Sequence, residues 1–185
     1  MNNALVSYYA GEKSEALIFL GTGVFSIGLG SFLVTRDSRF ARGAGYPTLT
    51  VGVLQTIFAA SYHASIDGRV ADLKKDLDTD PVAHRKRELD RIAGVNRRFV
   101  IFRYVELGII AAGAALATVG FVKKNDILKG LGIGLAVESA LFLSLDFFAE
   151  RRAHQYRSKL ESVPIAFSMD PSRPQGFHLS FNRSF

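Results

Sequence analysis

The chain has 185 residues, 48% of them hydrophobic, with no cysteine and with 23 Lys and Arg against 17 Asp and Glu. That length suits one domain, and the cysteine count excludes disulfides, thiolate metal sites and cysteine nucleophiles. The net charge of +6 and pI near 9.7 would fit a nucleic-acid binder. The basic residues, however, flank long apolar stretches, where membrane topology requires them, so no nucleic-acid partner is expected.

Residues 1–15 read as an N-terminal cytoplasmic segment. Glu12, Lys13 and Glu15 precede the first apolar run, with no basic leader and no small-residue cleavage site. The first run is therefore expected to be a retained anchor and not a cleaved signal. Four apolar stretches follow, at 16–35, 44–65, 99–122 and 127–148. Each has about 20 residues or slightly more, enough to cross a hydrocarbon core of ~30 Å as a helix. The mean hydropathy of +0.16 is modest because it averages these spans with heavily charged connections.

Short loops at 36–43 and 123–126 make two tight antiparallel hairpins, 16–65 and 99–148, with Asn125 or Asp126 available to cap the fourth helix. The charged connection 66–98 carries Ile66, Val70, Leu73 and Leu77 at helical spacing, so the second helix should continue out of the membrane. Asp80 is then an N-cap and Pro81 a first helical residue. Val82, Leu89, Ile92 and Phe99 carry the stripe into the third span. Ala149, Ala153, Tyr156 and Leu160 repeat it over 149–162, an extension of the fourth helix. Together these extensions form a cytoplasmic stalk, ten to fifteen residues projecting on the order of 20 Å.

The tail, 163–185, changes period. Val163, Ile165 and Phe167 alternate with smaller or polar residues, and after a turn with two prolines Phe177, Leu179 and Phe181 alternate again. That is a β-hairpin pattern with one apolar face. An isolated hairpin is marginal in water, so this face is expected to bind the stalk, a second copy or another protein. The fold class expected is an all-α membrane protein: a four-transmembrane-helix bundle from two tandem helical hairpins, with cytoplasmic helical extensions and a C-terminal β-hairpin.

The second hairpin reads as a copy of the first when Glu15 is set against Glu106 and Gln55 against Glu138, which also places His63 opposite Asp146. Both copies cross in the same sense, so their pseudo-axis runs along the membrane normal. Small residues mark expected helix contacts: Gly52, Thr56 and Ala60 on span two, Gly108 and Ala112 on span three, Gly130 and Gly134 on span four.

Polar residues inside spans are costly and face the bundle interior. Gln55 and Glu138 lie mid-span, and Gln55 or Ser139 are the partners expected for Glu138. Glu15, His63, Arg103, Glu106 and Asp146 gather at the cytoplasmic rim, where Arg103 could pair with Asp146 or Glu15. Such a layer serves snorkelling and ion pairing, or a proton or cation site. Di-metal bundles use Glu-x-x-His on two helices, and the sequence has none, so no metal and no cofactor are expected. No Walker A, dinucleotide-binding glycine pattern or His-Glu-x-x-His occurs either.

Counting Lys and Arg beside the spans gives fourteen on the side of the termini against six in the two outer loops. The positive-inside rule then puts both termini in the cytoplasm, with a bacterial inner membrane as the expected setting. The expected function is non-catalytic: a scaffold or accessory subunit acting through the stalk and hairpin, as a homo-oligomer or as part of a membrane complex, with membrane lipids as its other partners. The alternative is a small proton- or ion-coupled transporter or channel using the intramembrane carboxylates.

Overall fold

The computed structural model describes residues 1–162 and, beyond them, only the dipeptides 167–168 and 178–179. Four residues do not make out a hairpin. Apart from those four residues, the β-hairpin expected over 163–185, with Val163, Ile165, Phe167, Phe177, Leu179 and Phe181 on its apolar face, therefore lies outside the described residues.

Four helices account for residues 1–162: α1 (Asn2–Val34), α2 (Arg39–Thr79), α3 (Pro81–Val122) and α4 (Asp126–Ser162). Each contains a window long and apolar enough to cross a membrane, consistent with an integral membrane protein. Side-chain caps set the starts of three of them. Ser38 accepts from the Ala41 amide at the start of α2. Asp80 accepts from the Val82 and Ala83 amides, with Pro81 as the first residue of α3. Asn125 accepts from the Leu128 amide at the start of α4, after Lys124 turns the chain with φ 51°.

α1 packs along α2, and α3 along α4. The two hairpins meet mainly through the parallel pair α2 and α4, while α2 and α3 barely touch. Glycines let these backbones close up. A Cβ on Gly130 of α4 would stand 2.1 Å from the Phe40 carbonyl oxygen of α2, and one on Gly132 would stand 2.4 Å from the Gly113 oxygen of α3. Gly52, Thr56 and Gly134 also sit at helix contacts. Ala60, Gly108 and Ala112 face outward, and nothing lies within 4 Å of where a Gly108 Cβ would be. Four-residue spacing gives a common face but not which face. The contacts also repeat between the hairpins. Gly23 and Gly30 meet Gly52 and Leu49, as Gly113 and Gly120 meet Gly132 and Lys129. In that register Gln55 corresponds to Leu135, not to Glu138.

The largest apolar core lies beyond the spans. Leu5, Tyr8, Tyr9 and Ala16 of α1 pack with Ile66, Ile92, Ala153, Tyr156 and Leu160. Residues 1–15, which carried no helical expectation, form the first turns of α1 and supply the fourth wall of the stalk. Leu5, Tyr8, Tyr9 and Ala16 fall on one helical face, and burying that face is what holds the segment in a helix. The first and last turns of the described bundle therefore lie at the same end.

Candidate functional site

Polar side chains occur at three levels of the bundle. At mid-span, Glu138 of α4 is 5% exposed and accepts from the Ser26 hydroxyl of α1, 3.4 Å from each carboxyl oxygen, with Thr48 of α2 beside it. Its contacts run across the hairpin boundary. Gln55 is occupied within the first hairpin, where its amide donates to the Phe19 carbonyl at 2.9 Å and to the Thr22 hydroxyl at 2.6 Å. Gln55 and Glu138 thus do not meet, and Ser139 makes no hydrogen bond to Glu138 among the described residues. The glycine contacts place the two hairpins in a different register from the one that set Gln55 against Glu138.

At the rim, the expected layer resolves into separate pairs. Glu15 of α1 pairs with Arg152 of α4. Arg103 of α3 pairs with Glu150 of α4 rather than with Asp146 or Glu15. One helical turn separates Glu150 from Asp146, which is why sequence alone left the choice open. Glu106 faces Asp146 carboxyl to carboxyl. Glu106 Oε2 is buried and has no hydrogen-bond partner among the described residues. His63 stands apart on α2, one turn from Asp67, which is bound to Lys13 at 2.8 Å. Among the described residues no three His, Asp or Glu side chains converge on one point.

The third level, inside the stalk, was not anticipated. Glu88 of α3 is 2% exposed, and its carboxylate accepts twice from Arg91, both at 2.8 Å, and once from the Tyr156 hydroxyl at 3.1 Å. Tyr8 stacks on Tyr156 with centroids 4.2 Å apart and meets Tyr9 edge-on at 5.1 Å. The Arg91 guanidinium lies over both the Tyr8 and Tyr9 rings. Burial, reinforced by nearby Glu88 or Glu12, pushes all three phenols above their ordinary range, so they stay neutral. Burial alone would lower Arg91, but its bonds to Glu88 outweigh that and hold it above the usual arginine range. His84, one turn before Glu88 and almost wholly buried, is pushed below the usual imidazole range by burial, against the pull of Glu88 and Asp76. Leu5, Tyr8, Tyr9, Glu12 and Ala16 at helical spacing are the sequence signal that could have found this cluster.

Between the hairpins the bundle leaves a cleft of about 830 Å³ that runs from Gln55 and Ser139 up to Arg69, Arg98 and Arg152. Comparison with protein-family models, with curated proteins and with solved structures finds no match to this chain.

Proposed function

We propose that the chain is a non-catalytic membrane scaffold or accessory subunit, held by its four spans and displaying its C-terminal segment at the tip of a rigid stalk. The supporting observation is the closure of the stalk end. Arg85 of α3 donates to the Leu160 and Glu161 carbonyls of α4, both at 2.8 Å. It thereby satisfies orphan acceptors at the end of α4. The stalk segment of α4, residues 149–162, is about 21 Å long at 1.5 Å per residue. Because the four stalk stripes bury one another, the tail and not the stalk core is the binding element. The excess of basic residues on the termini side favours a cytoplasmic stalk, in a bacterial inner membrane.

The test is assembly in mild detergent. The full chain should form a homo-oligomer or a complex with a partner subunit, and a chain ending at Ser162 should lose that assembly while keeping its thermal stability. Unchanged assembly after the deletion would overturn the proposal.

A second reading, a proton- or ion-coupled transporter, is favoured by Glu138 reaching across the hairpin boundary and by the Glu106–Asp146 pair. It predicts pH-dependent flux in liposomes that Glu138→Gln abolishes. Absence of flux in the parent protein would dismiss it.

A further inference from the structure

The cleft between the hairpins has the shape and charge distribution of a lipid slot. Helices α2 and α3 are consecutive in the chain but barely touch, so the cleft can open sideways between them. Its deep portion is apolar, lined by Leu54, Phe58, Phe102, Val105, Leu135 and Phe142. Water in such a space would leave that surface hydrated at a cost proportional to its area. A neighbouring acyl chain would not.

The length fits one leaflet. From Gln55 at mid-span to Arg69 the lining of α2 extends roughly 21 Å at 1.5 Å per residue. Half of a bilayer with its headgroups is roughly 20–22 Å.

Charge then selects the headgroup. At the stalk end of the slot the acidic residues are engaged, Glu12 with Tyr62 at 2.6 Å and Glu15 with Arg152, while Glu106 and Asp146 lie beside each other deeper in it. Arg91 is held by Glu88. That leaves Arg69 and Arg98, both exposed at the end of the slot nearest the stalk, with no ion-pair partner among the described residues. Guanidinium groups match phosphate oxygens in geometry and charge. We propose that this slot binds one anionic membrane phospholipid, with its acyl chains between α2 and α3 and its phosphate between Arg69 and Arg98. The site is independent of the scaffold reading, since its lining among the described residues lies within the four helices.

The test equilibrates purified full-length protein with micelles containing equal phosphatidylglycerol and phosphatidylcholine, removes excess lipid and identifies what remains bound by native mass spectrometry. The parent should retain a single phosphatidylglycerol, preferred over phosphatidylcholine by roughly tenfold or more, since each basic side chain at the surface favours an anionic headgroup. The double variant Arg69→Gln/Arg98→Gln alters only exposed side chains and should bring the preference near parity. Lys74→Gln/Lys86→Gln removes the same charge from exposed stalk positions outside the slot and should leave the preference intact. The proposal is overturned if the parent retains no lipid, if it retains both lipids equally, if the arginine variant behaves as the parent does, or if the lysine variant loses the preference equally.

Discussion

Replacing Glu88 by Leu tests the stalk cluster most sharply. The substitution removes three hydrogen bonds at once, two from Arg91 and one from the Tyr156 hydroxyl. It leaves a guanidinium whose side chain is only 27% exposed without its counter-ion. Breaking one side of a buried ion pair costs about 3–5 kcal/mol. The residual exposure of Arg91 and its position over the Tyr8 and Tyr9 rings put the expected loss at the low end, about 3 kcal/mol. For a chain of this size that is a fall of roughly 6–12 °C in Tm. Tyr156→Phe deletes one bond to a charged acceptor and should cost about 1.5–2 kcal/mol. The double variant Glu88→Leu/Arg91→Met exchanges the pair for apolar volume and should recover most of the loss. Thermal unfolding of all four proteins in one detergent supplies the comparison. A Glu88→Leu protein as stable as the parent, or a double variant no better than Glu88→Leu, would refute the reasoning.

The glycines give a paired prediction. Gly130→Leu drives a side chain into the Phe40 backbone and should cost roughly 3 kcal/mol or more. Gly108→Leu meets open space and should gain up to about 1 kcal/mol of helix propensity; equal Tm values for the two variants would contradict the assigned α2–α4 contact. His84 supplies a pH dependence. Its buried imidazole takes a proton less readily than an unfolded one, so stability is intact above about pH 6.5 and is lost as pH falls below that value. The Tm of the parent should therefore drop more between about pH 7.5 and about pH 5 than that of His84→Gln, and parallel profiles would remove His84 from the account.

The spans, their antiparallel hairpins and the Asp80-Pro81 helix start were legible because each rests on local chemistry: a run of apolar residues, a short loop, a cap. The stripe Ile66, Val70, Leu73 and Leu77 likewise announced a helix leaving the membrane. Its partner was missed because residues 1–15 mix Tyr8 and Tyr9 with Glu12, Lys13 and Glu15, and charge masked the helical spacing of the buried face. Partner choice was less legible still. Arg103 selects Glu150 over Asp146, and Glu138 selects Ser26 over Gln55, because helix rotation and axial offset decide which turn faces which. Those offsets are fixed by backbone approaches such as Gly130 to Phe40 and Gly132 to Gly113, and a small-residue pattern does not specify them. Ala60, Gly108 and Ala112 have the same spacing and face outward.

The most direct test of the account as a whole is the side of the membrane on which the stalk lies. The chain has no cysteine, so single cysteines can be placed at Asp37, in the turn between α1 and α2, and at Lys74, exposed on the stalk. In intact bacterial cells expressing the protein, a membrane-impermeant maleimide should label Asp37→Cys at once. It should reach Lys74→Cys only after the membrane is opened. Labelling of Lys74→Cys from outside, alone or together with Asp37→Cys, would contradict a four-span bundle that presents its stalk and tail to the cytoplasm.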